Sequence, residues 1–88
     1  MKGKLENGFE FEVDENILDN MELIDVLAEA DQGNPLMVSK AFTMVLGTEQ
    51  KKTLYDTIRL EDGRVPVETA LTALTDVITA LGEDGKNS

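Results

Sequence analysis

The reactive side chains of this 88-residue sequence are 18 Asp and Glu, one Tyr, and a scatter of Lys, Ser and Thr; Cys, His and Trp are absent. That inventory excludes disulfide scaffolds, thiolate or imidazole metal sites, and Ser-His or Cys-His nucleophile pairs. Carboxylates can act as general acids and bases, and Asp14, Glu15 and Asp19 are close enough in sequence to cluster. No nucleophile stands beside an evident base, and acidic loop residues are ordinarily solvated, so no catalytic residue is assigned. The stretch Asp14–Asp25 has the length of a calcium loop. Its sixth position is Asp19 where the sharp turn requires Gly, and its twelfth is Asp25 rather than the bidentate Glu. No metal ligand and no cofactor-binding residue is expected.

Two other constellations also lack a decisive residue. A small acidic helical chain could carry an acyl group on a phosphopantetheine arm, but that requires Asp-Ser-Leu opening a helix. The serines here are Ser39, in Val38-Ser39-Lys40, and Ser88. A helix-turn-helix at Gly47-Thr48 would present Lys51, Lys52 and Arg59 to phosphates, but few cations oppose a net charge of -10. Phosphate loops and dinucleotide fingerprints are missing.

The charge is unevenly spread. Residues 1–31 hold ten acids and two Lys (net -8), residues 32–60 two acids and four bases (net +2), and residues 61–88 six acids and two bases (net -4). A mildly basic band thus separates acidic ends. The excess acidity favours solubility and disfavours nucleic acid and anionic membrane as partners. Opposite-sign faces would suit partner docking or a homo-oligomer. No apolar run approaches the roughly 20 residues that span a bilayer. Met1-Lys2-Gly3-Lys4 is not followed by the apolar core of a secretory signal, so a cytoplasmic location is expected.

The elements that must position these groups follow from periodicity. Phe9, Phe11 and Val13 alternate with Glu10 and Glu12, as in a strand with one wet face. A three-residue loop, Glu6-Asn7-Gly8 with Gly8 left-handed, pairs Leu5 with Phe9, Lys4 with Glu10 and Lys2 with Glu12. A two-residue Asn-Gly loop would push Leu5 onto the charged face. Helix signals then recur. Asp19, with Glu22 behind it, is expected to cap a first helix over about Asn20–Asp31, whose apolar stripe is Leu23, Ile24, Leu27 and Ala28, widened by Val26 and Ala30. Asn34-Pro35 opens a second helix, apolar nearly all round between Leu36 and Leu46, which Gly47 stops. Thr48 is expected to cap a third, running to about Leu60 with Leu54, Tyr55 and Ile58 inward. Pro66 starts a fourth, ending near Leu81, with Val67, Ala70, Leu71, Leu74, Val77, Ile78 and Leu81 as its stripe. The expectation is a single α+β domain over 1–88: an N-terminal β-hairpin (1–13) packed on a bundle of about four α-helices (20–81), with a polar, frayed tail (82–88). The hairpin alone buries too little and needs the helices to cover it. Thr69, Thr72, Thr75 and Thr79 form a weakly charged flank on the last helix. Met21, Met37 and Met44 could serve as adaptable contacts or as core filling.

Taken together, Lys4-Leu5-Glu6-Asn7-Gly8-Phe9-Glu10-Phe11, Leu23-Ile24-Asp25-Val26-Leu27-Ala28-Glu29-Ala30, Asn34-Pro35-Leu36, Leu46-Gly47-Thr48-Glu49-Gln50-Lys51-Lys52 and Asp62-Gly63-Arg64-Val65-Pro66 resemble the tail assembly chaperones of siphophages and prophages of Gram-positive bacteria. The resemblance covers roughly residues 4–84 and rests on fold punctuation rather than on a catalytic signature. It implies a non-enzymatic protein that binds the long, helical, aggregation-prone tape measure protein before the tail tube polymerises, and is displaced as tube subunits arrive. Many such chaperones also exist in a longer, frameshifted form. A chaperone of this kind needs accessible apolar surface and high solubility. The expected partner surface lies between the second and fourth helices, on Met37, Ala41, Met44, Val45, Leu71, Leu74 and Ile78. Two other readings compete. One is a structural head–tail component retained in the virion. The other is an acidic inhibitor that mimics DNA, although the basic band over residues 40–59 interrupts any row of phosphate-like carboxylates.

Overall fold

The chain opens with two short antiparallel strands, β1 (Lys2–Lys4) and β2 (Glu10–Glu12), seen in a computed structural model that describes the backbone of residues 1–87 and the side chains of residues 1–82. The register pairs Lys2 with Glu12, Gly3 with Phe11 and Lys4 with Glu10. The three-residue loop is as expected: the Leu5 amide donates to Phe9 O (2.9 Å), and Gly8 has φ 92°. Asn7 Oδ1 accepts from the Phe9 amide at 2.9 Å and stiffens the turn. Leu5, Phe9 and Phe11 are buried on one face, and the Phe9 and Phe11 rings stack at 5.7 Å. Lys2, Lys4, Glu10 and Glu12 face water. The Lys4–Glu10 pair, at 4.0 Å and mostly exposed, adds under about 1 kcal/mol.

Three helices follow: α1 (Met21–Asp31), α2 (Pro35–Ile58) and α3 (Val67–Asn87). Asn20 rather than Asp19 caps α1, because its Oδ1 accepts from the Glu22 amide at 3.0 Å. Asp19 instead closes a preceding turn, its amide donating to Asn16 O. Asn34 caps α2 as expected, accepting from the Leu36 amide at 3.1 Å, with Pro35 in the first turn. α3 runs on to Asn87, past the end expected near Leu81: Gly82 does not take the left-handed conformation that would stop it, so the backbone of 83–87 is helical where a frayed tail over 82–88 is expected, and Ser88 lies outside the described residues.

The bundle has three helices where about four are expected, and Gly47 is the reason. Its φ of 76° and ψ of 168° interrupt α2, but no loop residues separate the flanking turns. The second and third expected helices are therefore two arms of one kinked element. Phe42 and Tyr55 touch across the bend, rings edge to face at 5.8 Å.

α2 is the central element, packed on α1 and on α3, while β1 leans on α3 and β2 on α2. The core joins Leu5, Phe9 and Phe11 of the hairpin to Leu23, Phe42, Leu54, Val77 and Leu81 of the helices. Each such fully buried side chain contributes about 1.5–3 kcal/mol. Between α2 and α3 a tight loop is tied by Arg59, which donates to Asp56 Oδ1 (2.9 Å) and to Gly63 O (2.7 Å). In the same loop, Asp62 accepts from the amide and guanidinium of Arg64 at 2.9 and 2.8 Å.

Candidate functional site

The helix periodicities leave α1 and α3 with more apolar positions than α2 can cover. On α1, Leu23, Val26 and Ala30 point into the core, while Ile24 stays 41% exposed and Ala28 lies on the surface. On α3, Ala70, Ala73, Leu74, Val77 and Leu81 are buried, while Leu71 and Ile78 are only half-buried. Each helix thus has one stripe sealed by the fold and an adjoining one left open.

The open stripes face each other across a groove of about 350 Å³. One wall is Ile24, Leu27, Ala28 and Asp31 of α1; the other is Leu71, Leu74, Thr75, Ile78 and Thr79 of α3. The spacing on both walls is helical. Each extends over roughly two turns, about 11–12 Å. Thr75 donates its hydroxyl back to Leu71 O at 3.1 Å, so this polar group of the wall is satisfied within its own helix. Met21, 70% exposed and three residues before Ile24, prolongs the apolar stripe of α1.

The expected partner surface divides. Leu71, Leu74 and Ile78 line this groove. Ala41 and Val45 are sealed in the core, and Leu74 is also largely covered, so these three are packing residues first. Met37 and Met44 are half-buried against the core and stand away from the groove. The groove therefore pairs α3 with α1 rather than with α2, whose Val38, Ala41, Phe42, Val45, Leu46 and Leu54 are buried while Leu36, in its first turn, stays 74% exposed away from the groove. Ile24, Leu27 and Ala28, expected from the sequence as part of the apolar stripe of the first helix, are absent from the expected partner surface. The available signal was the width of the α1 stripe, greater than one packing face requires, together with the Thr flank of α3.

Other concavities offer less. A shallow depression of about 610 Å³ covers the wet face of the hairpin, where Lys2, Lys4, Glu10 and Glu12 interleave opposite charges. At its edge the Gln50 side chain binds the β2 backbone: Oε1 accepts from the Glu12 amide (2.7 Å), and Nε2 donates to Glu12 O (2.8 Å) and Leu46 O (2.8 Å). Of the basic band, Lys51 donates to Ser39 Oγ (2.9 Å) and Thr43 Oγ1 (3.0 Å) and lies 5.6 Å from the Tyr55 ring centroid. With Arg59 also bound internally, two of the three cations of the helix-turn-helix reading are engaged within the chain. Among the described residues no three His, Cys, Asp or Glu side chains gather in a way that could hold a metal ion, and no helix is long and apolar enough to cross a membrane.

No family model, curated protein or solved structure matches this chain.

Proposed function

We propose that this protein is a non-catalytic tail assembly chaperone that holds helical segments of a tape measure protein until the phage tail tube forms around it. The observation that carries the reading is the α1–α3 groove, two apolar helical stripes left facing each other on a strongly acidic molecule. A third helix laid between them would bury Ile24, Leu71 and Ile78 and complete a packing layer that the chain itself leaves unfinished. The net charge of -10 keeps a particle with exposed apolar surface dispersed. The resemblance of residues 4–84 to tail assembly chaperones supplies the identity of the client.

The test is co-expression with the tape measure protein encoded in the same gene cluster. The expected result is a gain in soluble tape measure protein and its co-purification with this chain, both reduced by Ile24→Asp and Ile78→Asp. A tape measure protein that stays as insoluble with the chain as without it would remove the basis of the reading.

A further inference from the structure

The walls of the groove are chemically one-sided. The acids of the groove side are Asp31, Asp25 and Glu68, while Glu22 and Glu29 occupy the opposite face of α1 and Asp76 faces the hairpin; neither α1 nor residues 67–82 of α3 contain a Lys or Arg. Asp31 lines the groove itself. Asp25 lies one turn before Ala28, and Glu68 one turn before Leu71, so both extend the stripes that form the walls. The cations of residues 1–82 lie on the hairpin, on α2 and in the loop that follows it.

We propose that the groove selects an amphipathic helix of another protein whose aliphatic stripe is flanked by Lys or Arg. The aliphatic stripe follows from the lining and the helical form from the two-turn spacing. The basic flanks follow from acids at the rim, which repel an acidic helix and attract a basic one over a Debye length of about 8–10 Å. A second copy of this chain fits poorly, because a two-fold contact through the groove would set each acidic wall against an identical one. The inference deepens the chaperone reading in that it names what the client must present, but its chemistry depends only on the groove.

The test uses two synthetic helical peptides of about 18 residues with the same Leu stripe at i, i+3, i+4 and i+7, one flanked by Lys and one by Glu. Calorimetry on the full chain is expected to show the Lys peptide binding at least about ten-fold more tightly than the Glu peptide, with the difference shrinking between about 0.05 and 0.5 M salt. Amide shifts should concentrate at Ile24–Asp31 and Leu71–Thr79. The variant Asp25→Lys/Asp31→Lys should reverse the preference. Both positions are exposed, and Lys at the C-terminal end of α1 complements the helix dipole, so the fold is preserved and a thermal melt verifies it. Equal binding of the two peptides, binding of neither, or shifts mapping to another face would overturn the proposal. So would concentration-dependent self-association that covers Ile24 and Ile78. If the tape measure protein co-purifies equally with Asp25→Lys/Asp31→Lys, the charge rule falls while the chaperone reading stands. If the Lys peptide seats in the groove but the tape measure protein stays insoluble, the reverse holds.

Discussion

Phe42 and Tyr55 stand thirteen positions apart in α2, yet their rings meet edge to face with centroids 5.8 Å apart. In a straight helix their Cα atoms would be separated by about 20 Å. The bend at Gly47 brings them together, and Lys51 spans the same bend from the second arm to Ser39 and Thr43 of the first. An edge-to-face pair adds about 0.5–1.5 kcal/mol beyond the area it buries. The folded arms are what allow one central element to support α1, α3 and the hairpin.

Gly47 should therefore tolerate no L-side chain. Its φ/ψ belongs to a region that only glycine occupies without strain, whereas a Cβ there would meet nothing within 4 Å. Gly47→Ala is expected to cost about 1–3 kcal/mol in urea unfolding, through backbone strain alone. Tyr55 is the single tyrosine of a chain without Trp, so its fluorescence reports directly on the bend. A loss too small to measure, with unchanged Tyr55 emission, would show that the bend does not require a left-handed residue.

Gln50 acts as a surrogate strand for β2. Lys2 and Glu12 form a pair between the bonded pairs Met1–Val13 and Gly3–Phe11, so the Glu12 amide and carbonyl point away from β1. The Gln50 amide satisfies both. Because these bonds are exposed and water can replace them, Gln50→Ala should cost about 0.5–1.5 kcal/mol and speed hydrogen exchange at the Glu12 amide well beyond that at Phe11. It should also open an edge to intermolecular pairing, detectable as concentration-dependent light scattering.

Gly3 is required by its cross-strand neighbour. A Cβ there would overlap Cζ of the Phe11 ring and come within 2.9 Å of Cε1 and Cε2. That ring is buried and stacked on Phe9, so it has little room to retreat. Gly3→Ala should destabilise the fold by about 1–3 kcal/mol, with the largest amide shifts at Phe9 and Phe11. The double variant Gly3→Ala/Phe11→Leu should recover part of the overlap penalty, a non-additivity that a double-mutant cycle measures.

Asp62 sets a pH dependence. The Arg64 amide, and after it the Arg64 guanidinium, hold its carboxyl below the ordinary value of 3.8. Because the folded state binds that proton less readily than the unfolded chain, the loop's stabilisation is complete above the ordinary carboxylate range. It is lost as pH falls through the folded-state value. A carbon-13 carboxyl titration should place the Asp62 midpoint below 3.8. Arg64→Ala should move it only part of the way back, since the backbone amide remains.

Much of the fold was legible in the residues because the interactions that decide it span only a few positions. Leu5 could join Phe9 and Phe11 on one face only with a three-residue loop, and this fixed the hairpin register. Asn34-Pro35 marked the start of α2 through amide partners within a turn, whereas Gly47, expected to end a helix before a new one capped by Thr48, only bends α2, because no loop residues follow it. Asp19 was misread as the cap of α1 because Asp and Asn serve equally well there, and a single residue's backbone angle decides between them.

The sequence alone thus determined the local geometry, the acidity and the surplus of apolar helical surface on this protein. It could not say which part of that surplus stays open, because that depends on elements brought together by the bend in α2. Tertiary packing sent Ala41, Val45 and most of Leu74 inward. It turned Leu71 and Ile78 toward Ile24 and Leu27 of α1, some fifty positions away, and so placed the groove between α1 and α3. The physical reason is that helical periodicity states how wide an apolar face is, whereas only the neighbouring helices decide which edge of it they leave uncovered.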